Sequence, residues 1–303
     1  MLSTRQLRYF ETLAETLHFG RAARLLNISQ PALSGQIAQM EALFGAALLE
    51  RRPNGLTLTP EGVAVQKRVR RIMAELRDLE ALANPGEGPL AGRLKLGVIA
   101  SVAPYLLPPF LPRLARDFPN LEIGVRESVT ATLLDELARG DIDCAVIASA
   151  APGSALRSLP LVDEPFLLAV AQSERARFAA PVDVGRLGSE RLILLEEGHC
   201  LRDQALNVCA LAGADELSRL GATSLSTLLR MVAGGLGVTL VPRMAAEAER
   251  DGLAFLPLAD PVPTRSLSLV FRASSARVRD FEALVATLKA ALATEASDAL
   301  PGN

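Results

Sequence analysis

The sequence predicts an all-α head carrying a small hairpin, followed by an α/β body of two lobes. Three observations predict this. Apolar residues recur at helical spacing through the first 45 positions, with tight polar turns between the runs. A long helical pattern follows and stops in Asn84-Pro85-Gly86-Glu87-Gly88-Pro89, a linker composition. From Arg93 onward, short apolar runs alternate with helical patterns, as βαβ connections require. The expected divisions are 1–59 for the head, 60–89 for the long helix and hinge, and 90–303 for the body. The body's lobes are expected at roughly 90–164 plus 268–303, and at 165–267.

In the head, Leu7, Phe10, Leu13, Ala14 and Leu17 give a first helix, and Arg21 to Leu26 a second that ends at Asn27. Ser29 caps a third, with Pro31 in its first turn, where a missing N–H costs little. That helix runs through Leu33, Ile37, Met40 and Phe44 to Gly45. Two helices joined by a tight turn, the second presenting Gln30, Ser34 and Gln36 off its apolar stripe, describe a helix-turn-helix. Amide and hydroxyl side chains there can reach base edges in a major groove. A plain three-helix bundle with a polar face fits the same pattern. Asn54-Gly55 then predicts a tight hairpin, a wing with Arg51 and Arg52 at its base for phosphates.

Thr59 and Pro60 start the long helix as N-cap and first helical residue. Val65, Val69, Ile72, Leu76 and Leu79 are spaced alternately by four and three residues. That heptad seam predicts packing against the same helix of a second chain, with packing against the chain's own body as the alternative.

In the body, strands are expected at Leu94–Ile99, Leu121–Val125, Ile142–Ala148, Phe166–Ala171, Leu192–Leu195, Val238–Val241, Leu253–Leu258 and Leu267–Phe271. Helices fall between them, and the alternation predicts parallel sheets, with ligands at the carboxyl ends of the strands. Ser101 and Thr130 stand at two such strand ends, where capping a helix is the simpler role for either. No Gly-x-Gly-x-x-Gly follows the first strand and no phosphate-binding lysine loop occurs, so no nucleotide cofactor is expected, nor a metal.

The richest segment is Glu197-Gly198-His199-Cys200-Leu201-Arg202-Asp203-Gln204, with Cys209 nine residues after Cys200. Cys200 falls at a strand-to-helix turn flanked by His199 and Arg202, a setting that favours a thiolate. On an intact helix, positions nine apart are about 13–14 Å apart along the axis. A disulfide needs Cα atoms about 4.4–6.8 Å apart. The two thiols can therefore join only if the helix melts. The alternative is that both are small buried hydrophobes. Cys144, inside the apolar run Ile142-Asp143-Cys144-Ala145-Val146, is assigned a structural role.

The net charge of −2 hides an asymmetry. Residues 1–72 carry ten Lys and Arg against five Asp and Glu, leaving an acidic remainder. A basic module on an acidic body suits a polyanionic partner such as double-stranded DNA. The longest charge-free stretch, Leu96 to Pro112, contains four prolines and is shorter than the roughly 20 residues of a membrane span. No signal peptide is visible, so a cytoplasmic protein without membrane attachment is expected, in which a disulfide would be redox-responsive.

Phe19-Gly20-Arg21-Ala22-Ala23, Ser29-Gln30-Pro31-Ala32-Leu33-Ser34 and Leu49-Glu50-Arg51 resemble the LysR-type transcriptional regulators. The resemblance covers essentially the whole length. It implies a winged helix-turn-helix that binds DNA and a long helix that dimerises. It further implies a two-lobed effector domain of the periplasmic-binding-protein type, assembly as a homodimer or homotetramer, and RNA polymerase as a partner of an activator. Gly198 to Ala205 with Cys209, Ala222-Thr223-Ser224-Leu225, Pro104-Tyr105-Leu106-Leu107-Pro108 and Asp163-Glu164-Pro165 are similar to the peroxide-sensing members of that family. By this resemblance hydrogen peroxide oxidises Cys200 to a sulfenic acid, which Cys209 resolves as a disulfide. Ser101, Thr130, His199, Arg202 and Asp203 would bind the peroxide, Ser101 standing where a threonine is typical. Aromatic residues common in those members are replaced by Val208, Ala210 and Leu220. Two rival readings are a metabolite-sensing regulator of the same family, with structural cysteines, and a thiol peroxidase.

Overall fold

The computed structural model describes residues 1–53, 55–83, 89–151, 153–211 and 217–298, without the side chains of 81–83, 209–211, 217–220 and 294–298. It divides into two compact units, Met1–Pro85 with Ala138–Asp141, and Gly86–Leu137 with Ile142–Asn303.

The first unit opens with α1 (Thr4–Thr16), begun by a reciprocal capping box between Ser3 and Gln6. α2 (Phe19–Leu25) is capped by His18, whose Nδ1 accepts from the Arg21 N–H at 3.1 Å. α3 (Gln30–Phe44) is capped by Ser29, with Pro31 in its first turn and Gly45 at its end. The wing is β1 (Leu49–Arg52) paired antiparallel with β2 (Gly55–Leu58), closing at Arg52 opposite Gly55. The turn residue Asn54, on which the hairpin expectation rested, lies outside the described residues. α4 (Pro60–Ala83) starts at Thr59, whose Oγ1 accepts from the Gly62 N–H at 2.9 Å. A Cβ added at Gly62 would overlap the Leu48 carbonyl, so glycine lets α4 close onto the base of the wing.

Phe10, Leu13, Leu33, Ile37, Met40 and Leu48 form the core of this unit, and Val69 and Met73 of α4 are buried in it. The seam expected to meet a second chain therefore divides. Val69 is buried here and Val65 and Leu76 pack partly buried against the same core. Ile72 and Leu79 stay exposed, at 49% and 62%. The head's own apolar surface competes for one edge of the stripe, and burying a valine there stabilises by about 1.5–3 kcal/mol.

The second unit begins with β3 (Gly92–Ile99), α5 (Ala103–Asp117), β4 (Leu121–Ser128), α6 (Thr130–Arg139) and β5 (Cys144–Ile147). β3 lies between β4 and β5, parallel to both. β6 (Leu156–Ala171) then runs 16 residues, well beyond the expected six. Pro160 and Pro165 hid its first half, because proline within an apolar run argues against a strand. Pro160 sits opposite Ser268 where the register of its partner shifts, a place that tolerates a missing donor.

The remaining elements are β7 (Leu192–Leu195), α7 (Cys200–Leu211), β8 (Leu217–Ala222), α8 (Leu225–Ala233), β9 (Thr239–Pro242), α9 (Arg243–Ala248), β10 (Leu253–Pro257), β11 (Thr264–Arg272) and α10 (Val278–Asp298). β7 pairs in parallel with β8, a strand outside the expected set. β11, however, is antiparallel to β5 and β6, and β6 is antiparallel to β9 and β10. The expectation of wholly parallel sheets is corrected to mixed sheets. β10 and β11 run one after the other along β6, both antiparallel to it, so their short link needs no crossover helix. β6 is hydrogen-bonded to β11 along its first half and to β9 and β10 along its second, so it belongs to both lobes.

Candidate functional site

Three loops meet at the carboxyl edge of the first lobe's parallel strands: Ser101 after β3, Thr130 after β4 and Ala148 after β5. Opposite them lies the turn from β7 into α7. All four residues of β7 are buried, and the chain leaves it through Gly198, whose φ of +95° suits glycine and few other residues. The turn is held by backbone: Glu196 N–H donates to Ala222 at 2.9 Å and Arg202 N–H to His199 at 2.9 Å. Arg202 Nη1 donates to the Leu195 carbonyl at 2.8 Å, so this guanidinium ties the helix to the strand before it.

Cys200 is the first residue of α7, half-buried against the core and free of any disulfide. The backbone of α7 is helical through Cys209, whose side chain lies outside the described residues. Nine residues at 1.5 Å each separate the two along the axis by about 13–14 Å, which bars a bond while the helix stands. Four residues after Cys200, Gln204 donates from Nε2 to the Ala148 carbonyl at 2.6 Å. Its Oε1 is buried without a hydrogen-bond partner among the described residues.

Ser101 is buried, and its Oγ accepts from Arg265 Nη1 at 3.1 Å. Arg265 is wholly buried; its Nε donates to Glu164 Oε2 at 2.9 Å. Glu164 Oε1 in turn accepts from the Met244 N–H at the start of α9, at 2.6 Å. A buried guanidinium is tolerable only when paired and hydrogen-bonded, and this chain supplies both. Arg265 Nη2 and Thr130 Oγ1 are buried without a partner among the described residues.

A cavity of about 100 Å³ lies between the lobes. Ser101, Tyr105, Glu127, His199, Thr223, Ser224 and Ser226 supply its polar lining. Of the residues expected at the site, Ser101 and His199 line it together and Cys200 follows directly in the chain. Thr130 is near the same strand edge but not in the lining, Arg202 turns to the backbone, and Asp203 is exposed. Burial pushes the Tyr105 hydroxyl up to about 12, with Glu249 adding to the shift and Arg265 opposing it. Burial, with Asp143 beside it, pushes the Cys144 thiol well up, which fits an inert strand residue.

Sequence reasoning assigned no role to Arg265, Glu164, Gln204 or Tyr105. Arg265 had a signal. It shares the period-two phase of Leu267 and Leu269, the inward face of β11, so a charge was being placed inside the sheet.

In the head, Gln30, Pro31 and Ser34 are exposed on α3, and Gln36 is half-buried. A Cβ at Gly20 would come within 3.3 Å of Gln30 Oε1, so glycine lets α2 approach the start of α3. Arg51 and Arg52 are both exposed but, as neighbours on β1, point to opposite faces of the wing. Arg52 Nε donates to Glu50 at 2.8 Å on its own face.

Two family models match the chain: the bacterial regulatory helix-turn-helix of the lysR family over residues 4–63, and the LysR substrate binding domain over residues 87–293. The chain belongs to the LysR family. It is a family of transcription regulators, not enzymes, and its helix-turn-helix is a DNA-binding module. The DNA-binding transcriptional dual regulator OxyR of Escherichia coli K12 is 40% identical over 95% of both chains. A hydrogen peroxide-inducible genes activator of Pectobacterium carotovorum is 41% identical over 95% of this chain and 96% of that one. Among solved structures, a full-length cysteine-to-aspartate variant of Pseudomonas aeruginosa OxyR matches with TM-score 0.81 at 32% identity, covering 95% of both. An H2O2-bound cysteine-to-serine variant of Corynebacterium glutamicum OxyR matches with TM-score 0.68 at 33% identity, covering 98% of this chain and 94% of that one. Among the described residues of this LysR-family chain, no helix is long and apolar enough to cross a membrane, and no cluster of ligating side chains could hold a metal.

Proposed function

We propose that this LysR-family chain is a cytoplasmic transcriptional regulator that senses hydrogen peroxide through Cys200 and switches by a Cys200–Cys209 disulfide. The observation that carries the reading is the placement of Cys200. It opens α7 beside His199, at the edge of a cavity of about 100 Å³ that Ser101 also lines. Ligand pockets for metabolites run to about 300–1,000 Å³. This cavity suits a molecule of peroxide's size far better, which favours peroxide over the metabolite-sensing rival. The likeness to E. coli OxyR and to an H2O2-bound OxyR structure supports the same conclusion.

The Cys200 thiolate attacks one peroxide oxygen; the S–O bond forms as the O–O bond breaks, and the second oxygen leaves as hydroxide. Ser101 and His199, which line the cavity, orient the substrate, with Thr130 in support from the same strand edge. The Cys209 thiol then attacks the sulfenic sulfur, forming the disulfide and releasing water. α7 must unwind for this step. Closing a loop of about ten residues constrains the unwound segment by about 2.7 kcal/mol on the chain-entropy model. The rearranged segment shifts the lobes and, through α4, the DNA-binding heads of a homodimer or homotetramer, changing contacts to promoter DNA and RNA polymerase. Gln30, Pro31, Ser34 and Gln36 face the bases, while Arg51 and Arg52 hold phosphates.

Thiol labelling and DNA footprinting on one sample, with and without peroxide, test the reading. Oxidation of Cys200 should coincide with a changed footprint, and Cys200→Ser should show neither. A footprint that shifts with peroxide in Cys200→Ser would overturn it.

A further inference from the structure

Tyr105 stands in the first turns of α5, 6% exposed, with its ring in the core and its Oη buried. Oη has no hydrogen-bond partner among the described residues. A buried tyrosine hydroxyl ordinarily finds one, because leaving it unmade costs about 1–3 kcal/mol. Phenylalanine would fill the same space without that cost. The side chain lines the cavity that also holds Ser101 and His199.

We infer that Tyr105 is a further substrate-binding residue, whose Oη donates a hydrogen bond to the peroxide oxygen that departs as hydroxide. The inference rests on the peroxide-sensing reading. When Cys200 attacks, sulfur is oxidised by two electrons and the O–O bond takes up the pair. Negative charge then develops on the departing oxygen, and solvent supplies the proton that turns hydroxide into water. A donor fixed beside that oxygen lowers the barrier, since its dipole is in place before charge appears. Tyr105 keeps its proton at working pH, because burial holds its acidity far from neutral. Ser101 Oγ accepts from Arg265 and has a single proton to give, so it can donate to only one of the two peroxide oxygens.

The test is the rate of Cys200 oxidation in Tyr105→Phe, followed by dimedone trapping in a Cys209→Ser background. With hydrogen peroxide the rate should fall by at least about tenfold. With peracetic acid, whose leaving group needs little help, it should fall far less. Alkylation of Cys200 by iodoacetamide, which reads the thiolate alone, should be unchanged. Tyr105→Gln, which restores a donor without the ring, should recover part of the loss and serves as a second variant if Tyr105→Phe folds poorly. Equal slowing with peroxide, peracid and iodoacetamide would mean a merely structural role and overturn the inference. So would a wild-type rate in Tyr105→Phe. If wild-type Cys200 itself does not react with peroxide, the functional reading falls first and this inference with it.

Discussion

Gln204 Nε2 lies 2.6 Å from the carbonyl oxygen of Ala148, so the helix that starts at Cys200 is fastened to the far lobe one turn after its reactive end. The fastening is a single bond between side chain and backbone, worth about 1 kcal/mol net. It is strong enough to bias α7 toward the helix and weak enough to be lost when the helix unwinds.

Gln204→Leu should therefore raise amide exchange across the first turns of α7 by about fivefold, the factor that ~1 kcal/mol implies. Disulfide closure after peroxide should quicken in step. Exchange and closure at wild-type rates would show that the bond does not hold the helix.

The three cysteines should separate cleanly by reactivity. Cys200→Ser should abolish the peroxide response, and Cys209→Ser should leave a sulfenic acid at Cys200 that dimedone traps. Cys144, buried with its thiol pushed well up, should resist alkylation until the protein unfolds. Mass spectrometry that paired Cys200 with Cys144 would sink the switch.

On DNA, Gln30→Ala should relax sequence preference with a modest loss of affinity, about 1–3 kcal/mol at the affected base. Arg51→Ala should weaken all sites alike and lower the salt slope by about one. Because Arg52 is engaged with Glu50 on the opposite face of β1, Arg52→Ala should do less. Equal effects of the two arginine changes on the salt slope would contradict this asymmetry.

Charge placed on α4 should have two distinct outcomes. Leu79→Asp, at an exposed position, should leave the head folded while reducing the oligomer in sedimentation. Val69→Asp, inside the head's core, should unfold the head itself, because an unpaired charge there is costly. A Leu79→Asp protein that sediments like wild type would place the oligomer contact elsewhere.

Alkaline stability should depend on Tyr105. Its ordinary pKa of 10.0 is raised to about 12 in the folded chain, so folding favours the protonated phenol. The contribution is fully present below pH 10 and lost as pH rises from 10 to 12. Over that range wild type should lose stability, on the order of 2 kcal/mol, relative to Tyr105→Phe. Parallel stability curves for the two proteins across that window would be the contrary result.

Much of this molecule was readable from local chemistry. Ser29, Pro31 and Gly45 mark the bounds of α3, and the four residues expected for β7 are the four observed, because capping and apolar runs act locally. The long β6 was not readable, since Pro160 is accommodated at a register shift in a strand a hundred residues away and Pro165 at the end of the same ladder. The site divided in the same way. His199 and Cys200 announced themselves by chemistry in one segment, whereas Ser101, Arg265, Glu164 and Met244 become one hydrogen-bonded chain only when four elements converge. The α4 stripe was readable only in part for a related reason: a heptad does not say which of its edges the chain's own head will claim.

A single ribbon of backbone, β6, is woven into the sheets of both lobes. The lobes are thus not two separate shells: one strand hands over from the ladder that ends at Pro165 to the ladder that starts at Phe166. A low-cost movement of such a body is torsion about that ribbon, driven from a small part at its rim. A short helix that trades its coil for a covalent clasp is a suitable actuator: it delivers a twist of defined sense while the frame stays assembled. Signalling by this design would need no domain to open, only a screw to turn.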